Sequence, residues 1–401
     1  MTYEKVDAQR EGQRVSVADG LRGFAIITIT LLHSINHFNL TLPVENSFLF
    51  FNWSDPIIEY IVTMVSSGKS YGIFALLFGF TFYLQLTHQE KRGGDLNHRF
   101  IWRMFLLFII GTINSAFFAG EVLVLYSLVG FFLVPLRHVG NRKLLIVATL
   151  ALLQPIILAK IAYILLTPDY LQNFERYAAG PLFNKLAESS FFDMIVTNMT
   201  VGKQVYWLSI LSNCERIFQV IGLFIVGMIL GRKKLFELSP DTKKFWKKTV
   251  YATLIVFLIL KVFRIELMTL MPSGALRNMI YHLLSLWSDF SIVLLTIGLF
   301  IFLYSFPIKK AVRWMEPFGK MSLSNYVMQS ILGSFLFYGY GMSLSKYCGV
   351  TLSFGIGIFM LVLQYCFCLW WLKHHKKGPI EQLWHNLTWI RKTNNLEEHK
   401  S

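Results

Sequence analysis

The sequence predicts an all-α, polytopic membrane protein with about ten transmembrane helices around a polar cavity and both termini cytoplasmic. Three observations predict it. Apolar runs long enough to cross a ~30 Å hydrocarbon core, which takes about 20 helical residues, recur along the whole chain. Hydrophobic residues make up 54% and charged residues 15%, and the mean hydropathy is +0.50. Arg22 and His33, ionisable residues of the first run, share one helix face, as suits groups that face a cavity rather than lipid.

The runs follow one another as 22–40, 69–87, 100–118, 121–136, 144–166, 206–230, 249–268, 279–305, 322–343 and 350–372. The first lies behind a polar arm and is long enough to remain as a span, so no cleavable signal peptide is expected. Between the first two, Asn52-Trp-Ser-Asp55-Pro56 precedes Ile57 to Val65, which reads as an interfacial helix. The third and fourth runs are joined so tightly that Asn114 and Glu121 must lie close; the fourth is short. Residues 167–205, with Glu175, Arg176 and Asp193, read as re-entrant or amphipathic helices over an outer cavity. One transmembrane domain is expected over 1–401, with an N-terminal half at 1–210 and a C-terminal half at 211–395.

Alternating the runs across a bilayer gathers most of the 38 basic residues on one side. They lie in the N-terminal arm, in the connections 88–103, 137–143, 232–248 and 307–320, and in the tail from Lys373, which is therefore the cytoplasmic side. The formal charge of +15 is dispersed over these connections. It reads as a topology signal and an anchor for anionic lipid headgroups, and argues against a nucleic-acid partner. Cys214, Cys348, Cys366 and Cys368 fall in or beside runs without paired or zinc-type spacing, so neither disulfides nor a metal are expected.

The pair that carries most chemistry is Arg22 and His33, in Asp19-Gly-Leu-Arg22-Gly-Phe-Ala-Ile-Ile-Thr-Ile-Thr-Leu-Leu-His33. Their separation amounts to three helical turns plus about 20°, so both share a face roughly 16 Å apart along the axis. His37 is turned by about 60° from Arg22 and lies one turn farther along. Imidazole is the usual general base for activating a hydroxyl or amine, and guanidinium is a planar phosphate clamp. An anionic donor entering beside Arg22 and an acceptor arriving near His33 fit this spacing. Other polar residues inside runs, Lys69, Ser70, Asn114, Glu121, Tyr126, Glu215, Arg216, Asp289, Asn325 and Gln329, argue for an interior polar cavity. Glu215 and Arg216 also suit a fixed ion pair with other helices. Asn325 and Gln329, four apart, also suit packing between helices.

The C-terminal half resembles the YeiB-like membrane proteins, the domain-of-unknown-function family 418. The matching text is Glu215-Arg216, Gly222-Leu-Phe-Ile-Val-Gly-Met-Ile-Leu-Gly231-Arg232, Gly319-Lys-Met-Ser-Leu-Ser-Asn-Tyr-Val-Met-Gln-Ser330, Phe337-Tyr-Gly-Tyr-Gly341 and Gly378-Pro-Ile-Glu381-Gln-Leu-Trp384. The N-terminal half resembles it in Asp19-x-Leu-Arg22-Gly-Phe-Ala, Leu77-Phe-Gly79 and Gly111-Thr-Ile-Asn114 followed by Glu121-Val-Leu-x-Leu-Tyr126. The family is similar to a wider group of transmembrane acyltransferases that includes the lysosomal heparan glucosaminide acetyltransferase and, more remotely, acyltransferase family 3. Arg22 and His33 match the Arg, ten residues, His arrangement of the latter. Many YeiB-like relatives carry Asn where His33 stands, which keeps His37 in contention. Asn114 and Glu121 stand where relatives often show His and Asp.

The resemblance implies an enzyme of the cytoplasmic membrane of a bacterium that moves an acyl group, acetyl first, from cytoplasmic acyl-CoA or acetyl-CoA to an extracytoplasmic glycan or small hydroxylated acceptor. The catalytic candidates are His33, His37 and Glu121. Arg22, Lys69, Ser70, Arg99 and Arg103 are the candidates for the donor site. Asn114, Tyr126, Arg216, Asp289, Asn325 and Gln329 are the candidates for the acceptor site. A transporter or flippase is the rival reading, disfavoured by the lack of paired Pro/Gly-broken runs in the two halves. A non-catalytic scaffold would not explain the aligned Arg22 and His33. The oligomeric state is open, a homo-oligomer included.

Overall fold

The computed structural model describes residues 2–40, 53–90, 96–167, 180–306 and 310–397, and every regular element among them is helical. In order these are α1 (Thr2–His33) with a π-turn (Ser34–Phe38), α2 (Asp55–Ser66), α3 (Ser70–Glu90), α4 (Leu96–Asn114), α5 (Leu123–Phe131), α6 (Leu133–Leu136), α7 (Asn141–Leu152) and α8 (Pro155–Leu166). Then come α9 (Gly180–Glu188), α10 (Phe191–Thr197), a second π-turn (Asn198–Gly202), α11 (Lys203–Asn213), α12 (Glu215–Arg232), α13 (Pro240–Leu270) and α14 (Ala275–Ser305). The chain closes with α15 (Lys310–Arg313), α16 (Glu316–Lys320), α17 (Ser322–Phe337), a 3-10 turn (Leu344–Lys346), α18 (Val350–His374) and α19 (Pro379–Glu397). Asn52, Glu175 and Arg176 lie outside the described residues.

Four stretches are long and apolar enough to cross a bilayer, Ser16–Phe38, Asp55–Gln85, Ala275–Ser305 and Val350–His374; two bent pairs raise the number to six. The difference from the sequence reading has local causes. The run at 121–136 is divided at Phe132 into helices of 9 and 4 residues, because Pro135 has no N–H to bond the Phe131 carbonyl. The run at 144–166 bends by 47° between α7 and α8, where Gln154 is left-handed (φ 60°) and Pro155 opens the next helix. The run at 206–230 bends by 74° at Cys214, also left-handed (φ 53°), with no proline or glycine to mark it. Two bent helix pairs therefore stand where no paired Pro/Gly breaks were expected. The expected interfacial helix is α2, but it joins α3 through the turn at 67–69 to form one apolar stretch.

Caps explain other boundaries. Ser239 and Thr242 form a reciprocal capping box and Pro240 occupies the first turn, which starts α13 well before the apolar run itself. Asp55 accepts the backbone N–H of Val350 (3.2 Å) and Thr351 (2.9 Å), so the start of α2 caps α18.

α1 is the central helix, packed on α3, α14, α16, α17 and α18. A Cβ at Gly23 would overlap the Met315 carbonyl and one at Gly319 the Asp19 carbonyl, so α1 and α16 meet backbone to backbone. α12 lies against α3 in the same way, with Gly79 on Phe224 and Gly227 on Leu76. α13 and α14 pair on the outside, where Ile255, Ile259, Val262 and Phe263 of α13 are exposed, a surface suited to lipid. Gly227→Val forces the α3/α12 contact apart. It is expected to lower the thermal midpoint of the detergent-solubilised protein, on the scale of ~1–3 kcal/mol for overpacking. Gly355→Val, which meets open space, is the control; equal midpoints for the two variants would refute the packing argument.

Candidate functional site

Two cavities meet inside the bundle. One, of about 450 Å³, takes Arg22 from α1, Thr81 from α3, Arg103 from α4, and Lys320, Lys376, Lys377 and Glu381 from the C-terminal helices. The other, of about 330 Å³, takes His33, His37, Ser70, Phe118, Tyr206 and Arg216. Ile29, Tyr71, Val122 and Tyr326 line both, and so form the wall between them.

The first chamber is basic. Five cationic side chains, Arg22, Arg103, Lys320, Lys376 and Lys377, face two carboxylates, Asp19 and Glu381. Arg22 is held by Asp19 (2.8 Å) and donates to the Thr81 hydroxyl (2.5 Å). The Arg103 guanidinium lies 3.7 Å over the Trp384 ring, whose Nε1 donates to the Arg103 carbonyl (3.0 Å). Glu381 accepts the backbone N–H of Leu323 (2.6 Å) and Ser324 (3.1 Å) and the Ser324 hydroxyl, so a side chain of α19 caps the N-terminus of α17. Burial pushes the Glu381 carboxyl up, opposed by these same hydrogen bonds. Burial and the nearby Arg103 push the Lys377 ammonium down. Such a chamber suits a polyanionic group.

The second chamber is aromatic and holds both histidines. His37 follows His33 by four residues through the π-turn and stays beside it. The two rings meet edge to face at 5.0 Å, and Phe118 lies 4.7 Å from His33 and 5.7 Å from His37. The Nδ1 atoms of both imidazoles and the Tyr206 hydroxyl are buried without a hydrogen-bond partner. Arg22 and His33 stand on opposite sides of the dividing wall.

The wall is braced from behind. Tyr71 donates to the Gln219 carbonyl oxygen and its backbone carbonyl accepts the Tyr126 hydroxyl (2.5 Å). Glu121 accepts from Asn114 and from the Leu123 N–H (2.5 Å), and the neighbouring Val122 N–H donates to the Tyr326 hydroxyl (3.4 Å).

The remaining candidates fall elsewhere. Tyr126 lines the basic chamber. Ser70 lines the histidine chamber, bonded to Thr28 (2.7 Å), while Lys69 is paired with Asp289 (2.8 Å) and neither of these two charges lines a chamber. Arg99 stacks on Trp389 at 4.8 Å. Asn325 bonds the Phe318 carbonyl and Cys368, and Gln329 accepts from Thr30 (2.7 Å); both sit behind the chambers as contacts between helices. Glu121 and Asn114 stand behind the wall, not in it. Glu215 is paired with His282, whereas Arg216 enters no ion pair with it. Lys320, Lys376 and Lys377 were not singled out from sequence, where they read as ordinary cytoplasmic charges; only the return of α19 onto α4 and α17 brings them to Arg22. Among the described residues no group of three His, Cys, Asp or Glu is arranged to hold a metal ion.

The fold and these chambers define an all-helical protein of membrane type with a two-part polar interior. Residues 230–391 match the family described as "Protein of unknown function (DUF418)". The chain is 24% identical to the protein YxaH of Bacillus subtilis (strain 168), over 94% of this chain and 95% of that one. It is 25% identical to a 39.9 kDa protein in the amylase 3′ region of Bacillus acidopullulyticus, over 95% of each. It is 24% identical to YeiB of Escherichia coli (strain K12), over 94% of this chain and 96% of that one. The match over 230–391 and the YxaH and YeiB relatives support a likeness to the YeiB-like DUF418 family. No solved structure matches it. The DUF418 segment supplies α15 to α18 and most of α19, and so one side of the basic chamber, including Lys320, Glu381 and Trp384.

Because the Glu381 carboxyl is raised from its ordinary 4.5, the folded protein holds that proton more tightly than the unfolded chain. Its contribution to stability is full below pH 4.5 and is lost as pH rises through the folded value. Glu381→Gln removes this titration and keeps an acceptor for the α17 amides. The thermal midpoint of the variant should therefore fall less than that of the wild type between pH 4.5 and neutrality, and parallel curves would contradict the assignment.

Proposed function

We propose that this protein is a transmembrane acyltransferase of the bacterial cytoplasmic membrane. It takes an acyl group, acetyl first, from cytoplasmic acyl-CoA and delivers it to a glycan or small hydroxylated acceptor on the other side. The observation that carries the reading is the pair of chambers divided by Tyr71 and Tyr326, with five cationic side chains on one side and His33 and His37 on the other. In this reading about ten segments cross the membrane, both termini are cytoplasmic, and the basic chamber opens to the cytoplasm.

The chemistry follows from the side chains. The phosphates of CoA meet Arg22, Arg103, Lys320, Lys376 and Lys377, and the pantetheine arm carries the thioester to the tyrosine wall. His33 or His37 takes the proton of the acceptor hydroxyl as its oxygen attacks the thioester carbon. The C–S bond breaks, the new C–O bond is complete, and the CoA thiolate takes a proton. Glu121 holds the backbone at Leu123, next to the Val122 N–H that bonds Tyr326, and is thus a positioning residue here. Lys69, Asp289 and Arg99 stabilise the surrounding helices, and the donor is held by the chamber cations instead.

A second reading, a transporter, is favoured by one observation. The two helix breaks touch: the Gln154 side chain donates to the Glu215 carbonyl (3.2 Å), and Lys160 bonds the Ser212 carbonyl (2.6 Å) and Asn213 (2.7 Å). Broken helices that meet in the interior are a feature of transporter sites.

Purified protein is expected to retain acyl-CoA species detectable by mass spectrometry. Arg22→Ala and Arg103→Ala should weaken acetyl-CoA binding measured calorimetrically, and no acyl-CoA binding at all would favour the transporter. His33→Ala should cost about 10² to 10⁴ in transfer rate with CoA binding retained, and His37→Ala should cost less. Transfer that survives in His33→Ala and disappears in His37→Ala reverses the two roles. For topology, a cysteine placed at Lys244 should resist an impermeant thiol reagent in intact cells; labelling there would invert the orientation.

A further inference from the structure

We infer that the histidine chamber selects a small hydroxylated acceptor bearing one anionic substituent, a phosphate or a carboxylate, and that Arg216 receives that anion. The inference rests on the acyl-transfer reading for what happens to the acceptor, but the binding preference itself does not depend on it.

The first ground is charge. Arg216 lines the chamber, and among the described residues its guanidinium has one contact, the Tyr71 ring at 5.7 Å. The carboxylates around it are engaged elsewhere: Glu215 with His282, Asp289 with Lys69, and Glu121 with Asn114 and the Leu123 N–H. No aspartate or glutamate lines this chamber. A half-buried guanidinium in a largely aromatic chamber that no carboxylate lines leaves its charge unbalanced there, and an anionic ligand is the natural relief. Arg216 also stands in the first turn of α12, whose helix dipole adds potential of the same sign.

The second ground is the set of unmet polar atoms. His33 Nδ1, His37 Nδ1 and the Tyr206 hydroxyl are buried without partners, and all three residues line this chamber. A ligand with several hydroxyls supplies what they lack. Phe118, Phe183 and Tyr338 add apolar ring faces of the kind on which a sugar ring packs. The third ground is size. About 330 Å³ lies at the small end of the ~300–1,000 Å³ usual for ligand sites, room for one sugar unit or a group of that bulk. The acceptor that meets all three conditions is a sugar phosphate or a uronate, free or as the last unit of a longer chain.

The full-length protein in nanodiscs, open to both faces, tests this with three probes: glucose, glucose 6-phosphate and glucuronate. Binding is read by calorimetry without donor, and transfer by the appearance of radiolabel from [14C]acetyl-CoA in each sugar. Wild type is expected to bind one or both anionic probes at least about 10-fold more tightly than glucose, the order of a charge-assisted hydrogen bond. In Arg216→Gln that ratio should fall to about one, and in Arg216→Lys a part of it should remain. Preference for glucose 6-phosphate alone identifies phosphate as the anion, and preference for glucuronate alone identifies carboxylate. Equal binding of all three probes by wild type, or a preference unchanged in Arg216→Gln, overturns the inference whether or not transfer occurs. Selective binding without any transfer leaves the anion site standing and removes the acyltransferase reading.

Discussion

The structure depends on one constraint: α1 carries ionisable and polar groups through an interior that cannot hydrate them. Each therefore has to find a partner on another helix or face a chamber. Asp19 and Arg22 answer one another, and Thr81 takes the remaining guanidinium edge. Thr28 bonds Ser70 and Thr30 bonds Gln329. Such contacts are individually worth only about 0.6 kcal/mol in a membrane, so they orient the helices more than they hold them. Adhesion comes from the glycine contacts, where Gly23 and Gly319 let α1 and α16 touch along the backbone. Close approach there fixes Lys320, next to Gly319, on the same chamber as Arg22.

The tyrosine wall follows from the same constraint. A phenol buried between two cavities needs its hydroxyl satisfied, and the partners are the Gln219 side chain for Tyr71 and the Val122 N–H, beside Glu121, for Tyr326. Residues that read from sequence as reactive, Glu121 and Asn114 among them, are thereby used to hold the wall. Arg216 is the converse case. Its sequence neighbour Glu215 is drawn to His282, and the arginine is left facing an aromatic chamber.

The helix breaks reshape the reading of the interior. Left-handed residues at Gln154 and Cys214 let two bent helices approach each other, and the Gln154 amide bridges to the Glu215 carbonyl. Backbone groups freed at a break must be satisfied inside a membrane protein, so breaks tend to pair or to line a cavity. Here the Leu152 carbonyl is met by the Trp287 indole (3.0 Å) and the Ser212 carbonyl by Lys160.

The sequence by itself determined the helical class, the apolar runs and the polar residues that had to face inward, because hydropathy over a helix length is a local property. It also marked Arg22 and His33 as facing one way, because a regular helix fixes that angle; Pro135 and Pro155 stand at two of the three breaks, yet the runs that hold them read as unbroken. Tertiary structure decided the rest. The break at Cys214 without glycine or proline, and the return of α19 that brings Lys376, Lys377 and Glu381 to Arg22, depend on contacts between segments far apart in the chain. Which charge is neutralised and which is left free, Lys69 against Arg216, is decided by the same long-range packing.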